Sequence, residues 1–390
     1  MSVLTEKKKN KGLVEGLYPS TVWLSLTNKC NLLCTHCKLR RPEKDNLKAA
    51  AKHDISDKVF EKVKTQVLPF IKKIYLGGNS YSEQLYADKW NYFFDEIAKF
   101  PVEIYIITNG TLLTEERINK FIDKEITLSI SIESIKRELY EDMRGKFYDK
   151  VFSMLEYACR QKKEKSKDKA GIRFGVTLFR DNIYELTEMI DLAHKLGMTG
   201  INASHFSPQF ESQREQSLIY HKELYNRIYD EAMEKAKKLG IDLDLPYKFN
   251  ILRINEKEVK VKESLEHKNY CPWPWKGASI NHEGKVMPCC GSGSVMGDLN
   301  KNDFTDIWNG KKYRSLRETI GTKNPPDYCR GCITRTNGQI SNAKMLSAIG
   351  MDKDFSLKKM MFLSLREKMV KNKFTKAVYY GLEKVYKKIF

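Results

Sequence analysis

No run in this 390-residue chain approaches the ~20 apolar residues of a membrane-spanning helix, which excludes an integral helical membrane protein. The N-terminus, MSVLTEKKKNKG, carries lysines with no apolar stretch after them, so no secretory signal is read there. Signatures of the RRM or KH type are absent, and the net charge of +19 is spread along the chain, much of it beside acids as in EKAKK and KKEKSKDK; this argues against nucleic acid as a partner. These absences point to a cytoplasmic protein. Its nine cysteines are an odd number, and disulfides seldom persist in a reducing compartment. Thiolate–metal ligation is the better use for most of them. With 41% hydrophobic residues, the chain is long enough to bury one large core and a smaller second one.

One further absence is the most informative. Cys30, Cys34 and Cys37 form a C-x3-C-x2-C triplet in TNKCNLLCTHC, and no fourth cysteine lies near. A cubane [4Fe–4S] cluster takes one thiolate per iron, so three cysteines leave one iron free to bind a reactant. The alternative is a structural zinc site, but that needs four ligands, usually as two close pairs. His36 stands between the second and third cysteines, and His53 is distant in sequence.

Along the chain, β-rich runs alternate with helical patterns, the signature of repeated β/α units and a largely parallel sheet. The expected strands are 21–26, 73–78, 102–108, 126–131, 172–179 and 200–205. Between them, Val59, Val63 and Val67, or Leu186, Ile190, Ala193 and Leu196, recur at helical spacing. Polar groups fall just after the strands, at the carboxyl ends where α/β sheets place ligands. Six strands are too few for a full eight-stranded barrel.

The triplet, with aromatic-like His36 before the last cysteine, resembles the signature of the radical S-adenosylmethionine (SAM) enzymes. The resemblance implies an α/β fold with a partial (β/α)6 barrel over residues 21–240, after a basic segment 1–20. It also implies a SAM-binding [4Fe–4S] cluster on Cys30, Cys34 and Cys37. After the second strand the family's Gly-Gly-Glu reads Gly77-Gly78-Asn79 here, so the group holding the SAM ammonium is either Glu83, displaced by a longer loop, or Asn79. The two glycines equally suit a tight turn. Thr108-Asn109-Gly110-Thr111-Leu112-Leu113 resembles the family's TNG-x-LL, although those residues also make ordinary turns. Ser131-Ile132-Glu133 resembles Ser-x-Asp, and Tyr140-x3-Arg144-Gly145 resembles Y-x3-R-G, whose arginine lies near the SAM carboxylate. A solvated loop charge is the other reading of Arg144.

A second cysteine group follows: Cys271, Cys289 and Cys290, then Cys329 and Cys332 in YCRGC. Between them GASINHEGKVMPCC reads as a hairpin with His282, Glu283 and Gly284 at its turn. A zinc ribbon has similar spacing. The group resembles the SPASM/twitch region of radical SAM enzymes, as does GDLNKNDFTDIWNGKKYRSLRE. The resemblance implies a small domain over 271–335, after a linker at 241–270, with one auxiliary [4Fe–4S] cluster on Cys271, Cys289, Cys329 and Cys332. Cys290 is the alternative to Cys289, and Cys159, in a helical pattern, reads as a buried small hydrophobe. From Met351 to Phe390 the chain has eleven Lys or Arg against four Asp or Glu, with apolar residues at helical spacing. This basic helical tail, taken as 336–390, suits an anionic membrane surface, or packing on the protein itself or a partner.

The expected activity is reductive cleavage of SAM to a 5′-deoxyadenosyl radical that abstracts a substrate hydrogen. The one-cluster spacing resembles that of an aminocyclitol alcohol dehydrogenase of the family. That favours net oxidation of a sugar- or polyol-like small molecule, with the auxiliary cluster as electron acceptor and a flavodoxin or ferredoxin as one-electron donor. Peptide or protein modification is the alternative, although such members often carry a leader-binding domain before the barrel and only about twenty residues precede the first strand here. A non-catalytic, zinc-stabilised protein associated with membrane or RNA is the alternative of another class.

Overall fold

The computed structural model describes residues 17–37, 53–78, 81–206, 208, 211–249, 271–322, 324–330 and 332. Most of the basic N-terminal segment, Asn79, most of the linker and the helical tail therefore lie outside the described residues.

Six parallel strands are laid down in chain order: β1 (Thr21–Leu24), β2 (Lys73–Leu76), β3 (Glu103–Thr108), β4 (Thr127–Ser131), β5 (Gly171–Leu178) and β6 (Gly200–His205). Each overlaps an expected strand, because alternating branched residues bury one face: Val22, Leu24, Ile74, Leu76 and Ile106 are fully inaccessible. Helices α1 (Asp57–Gln66), α2 (Trp90–Ile97), α3 (Glu115–Asp123), α4 (Arg137–Arg144), α5 (Tyr148–Glu164), α6 (Leu186–Lys195) and α7 (Lys222–Leu239) fall between or after them. Helix starts follow local chemistry. The Ser56 hydroxyl caps α1 by accepting from the Val59 amide, and Thr114 caps α3 by accepting from Arg117, each worth about 1 kcal/mol. Cys159 is buried in α5, as its pattern implies.

A short strand β7 (Asp242–Asp244) pairs with β6 inside the stretch expected as linker. The stretch Ile241-Asp242-Leu243-Asp244-Leu245 alternates apolar and polar residues, but it is short and follows directly on α7. Buried Arg173 draws it in, with its Nη1 donating to the Asp242 carboxylate at 2.7 Å and its Nε to the Asn202 side chain at 2.9 Å.

The C-terminal cysteine-rich region joins the same sheet. Helix α8 (Trp273–Lys276) leads into β8 (Gly277–Ile280), which pairs in parallel with β1, and the antiparallel β9 (Lys285–Met287) and β10 (Gly297–Asp298) complete the unclosed order β10-β9-β8-β1-β2-β3-β4-β5-β6-β7. Helices α9 (Phe304–Trp308), α10 (Lys311–Thr319) and α11 (Asp327–Arg330) follow. The C-terminal region packs into the main core, while Met143, Phe179 and Phe206 form a smaller second cluster. Phe304, Trp308, Tyr313 and Leu316 belong to the cluster that contains Val59, Phe60 and Val63. The physical reason is the continuous ladder through β8 and β1, which leaves one shared apolar layer; the Phe304 amide donating to Gln66 Oε1 and the Lys62–Asp303 ion pair fasten the junction.

Candidate active site and cluster centres

The cysteine triplet sits on the loop after β1, and neighbouring strand ends hold that loop on several sides. The Leu26 amide donates to Gln84 Oε1 at 2.6 Å, and the Glu83 amide donates to the Lys29 carbonyl at 2.9 Å. The Thr35 amide donates to the Met143 carbonyl at 2.9 Å, filling one of the acceptors that the end of α4 leaves open. Gln213 Nε2 donates to the Thr35 carbonyl at 3.0 Å.

After β2 the chain turns through Gly77 and Gly78 at φ of +100° and +77°, a region that favours glycine. The loop then brings Glu83 back into the barrel, fully buried. Its Oε1 accepts from the Leu85 amide at 3.1 Å and from the Thr108 hydroxyl at 2.9 Å, and its Oε2 accepts from the Asn109 amide at 2.6 Å. A carboxylate has about four acceptor positions, so these three donors leave one on Oε2. Burial raises the Glu83 carboxyl above its ordinary value, against the pull of these donors and of Arg144.

Asn109 joins that centre to the cysteine loop. Its Nδ2 donates to Asn31 Oδ1 at 2.9 Å and lies 4.0 Å from Cys30 Sγ, while its Oδ1 accepts from the Thr111 amide and hydroxyl. Asn31 donates in turn to the Thr111 hydroxyl at 2.7 Å. Thr108 and Asn109 thus stand at the cysteine loop together with Glu83. Ser131 ends β4 opposite Gly175 and is half-buried.

Glu133 and Arg144 form an ion pair whose side chains are only 3% and 5% exposed. Glu133 adopts φ +52°, a left-handed conformation costing about 1–2 kcal/mol, and its carbonyl accepts from Asn182 Nδ2 at 2.7 Å. Burial alone would raise the Glu133 carboxyl, but Arg144, His36 and Thr177 outweigh it and hold the group below its ordinary value. His36 Nε2 lies 3.7 Å from the same carboxylate. Arg144 is therefore an inward-facing group rather than a solvated charge, and its Nε has no hydrogen-bond partner among the described residues.

Beside this pair, His36 meets Phe179 edge-on at 5.4 Å, and Phe179 packs on Phe206 at 4.5 Å. With Met143 they border a cavity of about 210 Å³ against the cysteine loop.

The donor sets fit iron–sulfur clusters. Burial first, then Glu133, Cys37 and Cys30, raise the Cys34 thiol to about 12, with Arg144 opposing, so thiolate ligation requires bound cationic metal. In the second group, burial and then neighbouring Cys332, Cys289 and Cys329 raise Cys271 to about 12. Cys289 stands against Cys332, and the Gly291 and Ser292 amides point at its sulfur. Cys290 is exposed.

Three participants were not anticipated from the sequence: Asn31, Gln84 and Asn182. Asn31 carried a signal, since it directly follows Cys30. The other two act through contacts to chain segments 58 and 49 residues away, which no local pattern reveals.

Residues 24–178 match the model of the radical SAM superfamily, and residues 271–333 match SPASM, an iron–sulfur cluster-binding domain. The chain is 24% identical to an AdoMet-dependent heme synthase of Methanosarcina barkeri over 344 residues, covering 81% of this chain and 92% of that protein. It is 22% identical to the antilisterial bacteriocin subtilosin biosynthesis protein AlbA of Bacillus subtilis, covering 81% and 68%. Among solved structures, SuiB of Streptococcus suis bound to S-adenosylmethionine superposes with a TM-score of 0.58 at 15% identity, covering 85% of this chain and 74% of that one. Native anSMEcpe with bound AdoMet gives 0.58 at 14% identity, covering 86% and 92%.

Proposed function

This chain belongs to the radical SAM superfamily and carries a SPASM domain, and from that premise we propose that Glu83, Thr108 and Asn109 hold SAM against a cluster ligated by Cys30, Cys34 and Cys37. Its cofactors are SAM, the [4Fe–4S] cluster that binds SAM, and auxiliary iron–sulfur. When bound and supplied with one electron, they provide homolytic cleavage of a SAM carbon–sulfur bond and abstraction of a substrate hydrogen. The observation that carries the residue assignment is the remaining acceptor position on Glu83 Oε2, in a carboxylate otherwise filled by Thr108, Asn109 and the Leu85 amide. Asn79, outside the described residues, is the competing ammonium acceptor. Arg144 and Glu133 form the buried wall beside Cys34, and His36 shields the loop on the side of the cavity. Cys271, Cys289, Cys329 and Cys332 hold the auxiliary cluster, with Cys289 favoured over Cys290 because it faces the group.

The reaction is read as a net oxidation in which the auxiliary cluster accepts the electron, with a flavodoxin or ferredoxin as reductant. A cavity of about 210 Å³, smaller than the ~300–1,000 Å³ of drug-sized sites, suits a small sugar- or polyol-like molecule, to whose hydroxyls Asp142, Asp181, Gln213 and Gln216 offer polar partners. The second reading is peptide modification. It is supported by the likeness to a bacteriocin biosynthesis protein, and the cavity equally suits one side chain of a peptide.

The test is 5′-deoxyadenosine formation by anaerobically reconstituted protein with SAM and a strong one-electron reductant, over parallel panels of polyols and peptides. Substrate-stimulated cleavage by one panel selects between the readings. Protein that holds stoichiometric zinc instead of iron and leaves SAM intact overturns both.

A further inference from the structure

The hairpin β8–β9 brings a second kind of metal-ligating side chain, imidazole and carboxylate rather than thiol, against the segment before α1. His282 and Glu283 occupy its tip. Across from them lies His53, where the chain returns toward α1, and the His53 and His282 rings stand 4.7 Å apart at 58°. The ligand atoms of His53, His282 and Glu283 all lie within 4.8 Å of one another.

We propose that His53, His282 and Glu283 bind a divalent transition-metal ion of the zinc class, which clamps the hairpin tip to the segment leading into α1.

Two imidazoles and one carboxylate are a borderline-soft donor set, and three protein ligands leave a fourth tetrahedral position for water. His282 Nδ1 is buried with no hydrogen-bond partner among the described residues, a costly state that ligation or proton-mediated bonding relieves.

Both backbones are held in place before any ion binds. The His53 amide donates to Asn28 Oδ1 at 2.9 Å, and its carbonyl accepts from the Asn28 amide at 3.3 Å. In the hairpin, Asn281 Oδ1 accepts from the Glu283 and Lys285 amides, and Asn300 Nδ2 donates to the Glu283 carbonyl at 2.8 Å. Gly284, at φ +81°, presses on α1 so closely that a Cβ there would lie 3.0 Å from a Val59 methyl. Side-chain rotation alone has to close the triad to bonding distance. An ion there would join the segment bonded to the first cysteine loop with the hairpin that opens the auxiliary domain.

The test uses holoprotein with its clusters loaded, freed of loose metal by a mild chelator and titrated anaerobically with Zn²⁺ by calorimetry, with iron and zinc counted after desalting. Wild type is expected to retain one zinc per chain beyond its iron. His282→Ala and His53→Asn should each lose at least the 10- to 100-fold in affinity that removal of a mere outer partner costs, with iron unchanged. His53 is exposed, so its variant tests the site without disturbing the core. Saturating zinc should raise Tm in wild type and in neither variant. Wild type that binds zinc only in the millimolar range, or tight binding that survives both substitutions, overturns the proposal.

Discussion

The backbone amide of Asn109 donates to Glu83 Oε2 at 2.6 Å, so the loop after β2 and the end of β3 share one buried carboxylate. This contact joins two sequence-distant polar segments into one buried polar cluster beside the cysteine loop. It also makes Glu83 the residue whose removal is most informative.

Glu83→Ala should weaken SAM binding by about 1.5–3 kcal/mol, roughly 10- to 150-fold, the worth of a hydrogen bond to a charged group. Asn79→Ala should weaken it less. The measurement is SAM affinity by equilibrium dialysis at matched iron content. Equal and negligible losses in both variants would show that the ammonium acceptor lies elsewhere.

Reconstituted protein should hold about eight iron and eight sulfide per chain, as two four-iron clusters require. Replacing Cys30, Cys34 and Cys37 together with Ala should remove about half the iron and abolish SAM cleavage. Full retention of iron in that variant would contradict the ligand assignment.

Arg144→Met strands the Glu133 carboxylate in the barrel and should destabilise the fold by about 3–5 kcal/mol in denaturant titrations. Adding Glu133→Gln should recover part of that loss, because the uncompensated charge is then gone. A double variant no better than the single one would mean that the carboxylate is satisfied by other groups.

His205 stacks on Phe249 and meets Tyr225 edge-on, each 4.6 Å away, and burial pushes its imidazole down to about 4. The unfolded chain takes up this proton near pH 6.5 and the folded one only near 4, so stability is full above about 6.5 and is lost as pH falls through that window, by up to about 3 kcal/mol. His205→Phe should flatten this part of the Tm-versus-pH curve. An unchanged acid slope would place its origin in other groups.

The sequence alone was sufficient for the strand series from Thr21 to His205, because alternating apolar residues and helical spacing are local consequences of which face is buried. It was sufficient also for the hairpin turn at His282, and it marked the cysteine triplet and the Thr108–Asn109 segment as candidates by residue type and spacing. It did not determine that β7 pairs with β6, that β8 lies beside β1, or that the C-terminal region shares the barrel's core. Nor did it place Glu83 beneath Asn109, bury Arg144 against Glu133, turn Cys289 toward Cys271, or bring His53 to His282. Each of these joins residues far apart in the chain by short-range forces. Hydrogen bonds and ion pairs act over a few ångströms, so only the tertiary structure decides which distant residues come within their reach.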